Sequence, residues 1–147
     1  MTEFRGVWDD SDVAAFLSDA TVPMRLTTHR PDGTLWTVAL WYAYEDGVFS
    51  CATSADADVV GFLRADDHVA FDVSVNDPPY RGVRGNGTAT LGRDDDKRLL
   101  RSLLERYLGG TDSTLARRLL SGDREEVRIE IRPDELYSWD YSARMTD

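Results

Sequence analysis

The stretch VPMRLTTHRPDGTLWTVALWYAYEDG, Val22 to Gly47, decides how the chain is read. Val22 to His29 alternates apolar and polar side chains, the pattern of a strand with one buried face. Pro31-Asp32-Gly33 is turn chemistry, because proline presets its backbone and glycine accepts positive φ. Thr34 to Tyr44 is rich in Val, Leu, Trp and Tyr, which suits a long partner strand. Asp46-Gly47 then signals a two-residue hairpin into Val48–Thr53. The expectation is a meander of three antiparallel strands.

Working outward, the apolar spacing of Val13, Phe16 and Leu17 behind Asp10–Asp12 predicts an opening helix. Residues 54–66 repeat that spacing with Val59, Phe62 and Leu63, and Ser54 is the expected cap. His68–Val75 alternates as a fourth strand, and Gly82–Gly92 follows as a fifth after the proline loop. Asp94–Asp96 would cap a helix reaching about Leu108, and Ser113–Leu120 reads as one more. Glu126–Arg132 is the sixth strand, and Pro133 opens a tail, PDELYSWDYS. Six strands, short flanking helices and no βαβ rhythm predict one mainly β (α+β) domain over 1–147, a small antiparallel barrel.

Composition narrows the function classes. Acidic residues number 27 against 17 basic, for a net charge of −10, and Lys97 is the only lysine. The arginines are scattered among aspartates, so no basic stripe serves a nucleic acid. Excess Asp with almost no Lys looks like the proteins of salt-loving archaea, whose carboxylates repel until salt screens them. The start MTEFRGVWDDSD has neither a basic segment nor an apolar run, and no stretch is long enough for a membrane span, so a cytoplasmic protein is expected. A single cysteine, Cys51, excludes an intrachain disulfide and reads as packing.

Generic catalytic constellations are mostly absent: no residue stands out as a general acid or base, and nothing marks a nucleophile elbow. His29 and His68 have no Cys, Asp or Glu at metal spacing, so no metal site is expected. GNG at Gly85–Gly87 has no helix after it and reads as a bulge or a close backbone approach within a strand. What stands out is the pairing of aromatics with arginines at strand ends: Trp36, Trp41, Tyr42 and Tyr44; Tyr80, Arg81 and Arg84; Trp139 and Tyr141. Each fits a core side chain equally well. As a set they suit a flat aromatic ligand with an anionic tail.

In order along the chain, VPMRLTTHRPDGTLWTVALWYAYEDG, FLRADDHVAFDV, DPPYRGVRGNGTATL and IEIRPDELYSWDYS resemble the pyridoxamine 5'-phosphate oxidase-related, FMN-binding split-barrel family over roughly residues 10–142. The resemblance implies a six-stranded split barrel that dimerises with itself and binds FMN, or in some branches a deazaflavin or haem, at the interface. For haem, His29 and His68 are the only imidazoles, and ordinary strand roles suit them better. By the same resemblance Thr37, Val38, Ala39 and Leu40 would meet the polar edge of the flavin ring. Ala52 to Asp58, including Thr53 and Ser54, would hold the phosphate. Tyr80, Arg81, Arg84 and Trp139 would stand near the cofactor or the mouth for a small-molecule substrate, with Pro78 and Pro79 stiffening the loop. The phosphate loop departs from the family pattern: it carries Asp56 and Asp58 and no base, which leaves Arg64, Arg81 or Arg84 to supply donors. The implied activity is flavin-dependent oxidation or reduction. The alternative is a degenerate split-barrel dimer with weak or no flavin binding, acting as an interaction protein.

Overall fold

Alternation of apolar and polar side chains builds most of the sheet in this computed structural model, which describes residues 1–145. The strands are β1 (Glu3–Gly6), β2 (Met24–His29), β3 (Leu35–Leu40), β4 (Ala43–Glu45), β5 (Val48–Ser54), β6 (His68–Ser74), β7 (Arg81–Arg93) and β8 (Glu126–Asp140). They form one sheet in the order β3-β2-β6-β7-β8-β5-β4, with β1 added in parallel to β8. Every other pairing is antiparallel. The interior is filled by Leu26, Phe49, Phe71, Val73, Val83, Ile129, Ile131 and Leu136. The mainly β class is as expected, with eight strands rather than six.

The expected three-strand meander does not form. β3 hairpins with β2 at one edge of the sheet, whereas β4 hairpins with β5 at the other. The chain crosses between them at Trp41-Tyr42, and both aromatics have partners outside the ladder. The fully buried Tyr42 hydroxyl donates to the carbonyls of Leu17 and Ala20 at 2.8 and 2.9 Å. Trp41 stacks on Tyr107 with ring centroids 5.1 Å apart. Tertiary contacts therefore override the strand preference of an aromatic run.

The expected tail is mostly strand. β8 runs through Pro133 because the ladder bulges there: Asn86 faces Glu135 and Gly87 faces Pro133, which leaves Asp134 without a partner. A bulge spares proline the donor it lacks. β1, which went unread in the sequence, lies along Glu135–Ser138.

Four helices flank the sheet: α1 (Asp10–Asp19), α2 (Asp58–Ala65), α3 (Arg98–Leu108) and α4 (Thr114–Leu119). α1 is capped one residue earlier than expected, by Asp9, in a reciprocal box with Asp12. α2 begins after Ala57, which caps nothing; the Ser54 hydroxyl instead accepts from the Asp56 amide at 3.3 Å. Asp94 does cap α3, its carboxylate accepting from the Leu99 and Leu100 amides at 2.9 Å each across a 3-10 turn. α3 and α4 cover the outside of β5 through Leu100, Leu104 and Ala116, packed on Trp41 and Ala52. Cys51 is fully buried, and burial pushes its thiol up to about 12, as a packing residue requires.

Candidate functional site

The crossing at Trp41-Tyr42 leaves β3 as an edge strand, so one row of its backbone donors and acceptors is unpaired in the sheet. Val38 and Leu40 point inward and pack on the core, while Thr37 and Ala39 face out; the Thr37 hydroxyl bonds that of Thr27 at 3.0 Å. Outside the ladder β3 comes against β5. There Ala39, Leu40 and Trp41 meet Ala52 and Thr53 beneath Leu100, Leu103 and Leu119, around a slot of about 210 Å³. The structure thus joins two of the segments named from the sequence, the flavin-edge strand and the start of the phosphate loop.

One further side chain lines this slot, and sequence reasoning missed it: Arg124. It precedes β8, in a segment, SGDREE, with no periodicity to draw attention. Strand pairing brings it here, since Ser54 lies opposite Glu126 and the Ala55 amide donates to the Glu125 carbonyl at 2.9 Å. Arg124 pairs with Glu126, Nη2 to Oε2 at 3.4 Å and a closer contact of Nε with Oε1. Burial pushes the Glu126 carboxyl above the ordinary glutamate range, and Arg124 pulls it part of the way back. No histidine, cysteine or carboxylate lines the slot, so its side chains offer apolar contact, a hydroxyl and a cation, but no acid–base chemistry.

The other residues of the loop sit less favourably for an anion. Ser54 is half-buried, whereas Asp56 and Asp58 are exposed at the start of α2. Arg64, in the last turn of α2, is at the opposite end of that helix.

The remaining candidates lie elsewhere on the chain. Arg84 stands on the outer face of the sheet, 4.5 Å from the Tyr137 ring centroid and 5.2 Å from that of Trp139. With Arg25, Thr27, Asp72 and Glu135 it borders an open groove of about 410 Å³. Tyr80 is exposed, and its carbonyl accepts from the Tyr141 amide at 2.9 Å. Arg81 faces the other way, toward α1, with its guanidinium 5.8 Å from the Phe16 ring centroid. The single site expected from the sequence is therefore divided, within one chain, among a slot, an outer groove and the end of the barrel.

Among the described residues no cluster of three or more His, Cys, Asp or Glu is arranged to hold a metal ion, and no helix is long and apolar enough to cross a membrane.

Comparison with known proteins yields a family match and many similar folds. The family described as Pyridoxamine 5'-phosphate oxidase matches residues 10–140. A conserved hypothetical protein of Mycobacterium tuberculosis is 26% identical, with 96% of this chain and 91% of that one covered and a TM-score of 0.77. An F420 reductase is 24% identical over 88% of this chain and 98% of its own, with a TM-score of 0.73. A FAD-binding protein from Mesorhizobium loti is 19% identical over 89% and 93%, with a TM-score of 0.61. No curated protein sequence matches the chain.

Proposed function

The chain belongs to the pyridoxamine 5'-phosphate oxidase family, and from that premise we propose that it is a flavin-dependent oxidoreductase holding FMN or a deazaflavin against β3 and β5. The observation that carries this reading is the slot itself. The end of an unpaired strand edge, Ala39–Leu40, forms one wall of a largely apolar recess that Thr53 and Arg124 also line. Those are the donors and walls a flat ring with an anionic tail requires. A slot without its own acid or base suits an enzyme in which the bound flavin supplies hydride transfer and the protein supplies orientation and electrostatics. Likeness to an F420 reductase and to a FAD-binding protein adds support for the cofactor class.

A second copy completes the site in this proposal. At about 210 Å³ the slot is smaller than the ~300–1,000 Å³ of typical ligand pockets. Arg84, Tyr80 and Trp139 lie away from the slot on their own chain and would approach the cofactor from a partner, whose outer groove would form the missing wall. The small-molecule substrate would enter at that interface.

A second reading has its own observation. Asp56 and Asp58 put two exposed carboxylates beside the half-buried Ser54, where a phosphate would lie. A chain that has lost its flavin would carry such a loop and act as a binding or interaction protein.

The deciding experiment is a titration of the purified protein in molar KCl with FMN, riboflavin and a deazaflavin, read by absorbance and flavin fluorescence, with sizing chromatography on the same sample. Tight FMN or deazaflavin binding by a dimer, with riboflavin weak, supports the proposal. A monomer, or a dimer that takes none of the three, overturns it, and the dimer without flavin favours the second reading.

A further inference from the structure

At the far end of the β7–β8 ladder the inward face changes character. Val83 and Ser138 are fully buried cross-strand partners, and two residues further on, on the same face, the partners are Arg81 and Asp140. α1 closes over them with Ala15, Phe16 and Asp19, and Trp8 packs against Phe16 in a tilted arrangement, ring centroids 5.0 Å apart. The result is a cleft of about 360 Å³, well away from the slot between β3 and β5 and within the size range of small-molecule sites.

The polar groups in this cleft are only partly engaged. Arg81 and Asp140 face each other across the ladder yet form no ion pair, and the Arg81 side chain makes no hydrogen bond among the described residues. The guanidinium rests instead near the Phe16 ring. Asp140 accepts from the Ser142 amide at 2.9 Å and the Ser142 hydroxyl at 2.5 Å, both on Oδ1, which leaves Oδ2 open. Those bonds, with a smaller contribution from the Arg81 charge across the ladder, hold its carboxyl below the ordinary aspartate range, so it stays charged at neutral pH.

The charges select the ligand class. A simple anion would find one guanidinium opposed by Asp140 and Asp19; a simple cation would pair with those carboxylates but leave the Arg81 guanidinium with no anionic partner. A molecule with both charges a few ångströms apart satisfies each, and an apolar body then rests on Trp8, Phe16, Val22 and Val75. We infer that this cleft binds a small zwitterion of the α-amino acid class with an aromatic or branched apolar side chain, its carboxylate on Arg81 and its ammonium on Asp140.

Calorimetric titration with three probes tests this: L-phenylalanine, 2-phenylethylamine, which lacks the carboxylate, and 3-phenylpropanoate, which lacks the ammonium. The full chain is used at the lowest salt that keeps it folded. Phenylalanine is expected to bind saturably, and each analogue at least about ten-fold more weakly. Arg81→Gln and Asp140→Asn should each weaken phenylalanine at least about ten-fold, with circular dichroism confirming that both fold, and Arg81→Lys should retain part of the affinity. No saturable heat up to about 10 mM overturns the inference, as does equal binding of the three probes or phenylalanine binding untouched by both charge variants.

Discussion

Asp58 stands in the first turn of α2 behind Ala57, which offers no side-chain cap. A carboxylate there complements the positive end of the helix dipole, worth about 0.3–1 kcal/mol. The same charge opposes a phosphate at that helix end, at about 1–4 kcal/mol for like charges ~4 Å apart near a surface. Repulsion is the larger effect, so Asp58→Asn should tighten FMN about ten-fold, leave riboflavin unchanged, and slightly lower the melting temperature of the free protein. Equal gains for both ligands would show that the residue acts on the ring rather than the phosphate. Arg124→Gln tests the opposite charge, and it should erase the preference for FMN over riboflavin. Its second effect is on pH dependence. Burial already raises the Glu126 carboxyl, so this group contributes stability that is present below the unfolded glutamate range and lost as pH rises through its folded value. Removing Arg124 takes away the main opposing influence and raises the carboxyl further. Denaturant midpoints of the variant should therefore fall more steeply than wild type between mildly acidic and neutral pH, and Glu126→Gln in the same background should flatten that fall.

At the level of elements, β7 and β8 cross so closely that two glycines are obligatory. A Cβ at Gly85 would lie 2.1 Å from the Glu135 carbonyl oxygen, and one at Gly87 2.3 Å from that of Arg132. Neither obstacle is a flexible side chain, so the backbone itself must yield. Gly85→Ala should cost several kcal/mol, about the scale of severe core overpacking, and show as a large drop in thermal midpoint; Gly92→Ala, with open space around it, should be near neutral. The close approach at Gly85–Gly87 was legible in the sequence, because glycines in a strand with no helix behind them have few other uses. Most strands were legible for a similar reason, since period-two alternation is local. What escaped was set by distant partners. Trp41-Tyr42 looks like strand until Leu17, Ala20 and Tyr107 take its hydrogen bonds and ring face. Pro133 looks like a strand end until the bulge at Asp134 excuses its missing donor. The site shows the same division. Of the residues the resemblance named, Ala39, Leu40 and Thr53 line the slot and Thr37 and Val38 do not, whereas Arg124 reaches it only through the pairing of β5 with β8.

Over the whole molecule the governing quantity is charge. The 27 acidic and 17 basic residues leave −10 on 147 residues, and the helices and loops carry much of it on exposed Asp side chains. Around Lys97, whose ammonium donates to the Ser121 carbonyl at 2.5 Å, Asp95, Asp96 and Asp123 crowd one open face with Glu125. Like charges at such density oppose the compact state, and salt relieves them as the screening length falls from about 10 Å at 0.1 M to about 3 Å at 1 M. The unfolding midpoint in urea should therefore rise with KCl, most of the gain coming below about 1 M, where the screening length changes most. A gain that continued linearly to higher salt would point instead to strengthened apolar burial, because salts excluded from the protein surface act in proportion to concentration. The triple variant Asp95→Asn, Asp96→Asn, Asp123→Asn separates the two. It removes three charges, taking the net from −10 to −7, and Asn tolerates the φ of 56° at Asp96. If screening governs, the variant is more stable than wild type at low salt, equal to it at high salt, and has the shallower slope between. If apolar burial governs, the two slopes are the same.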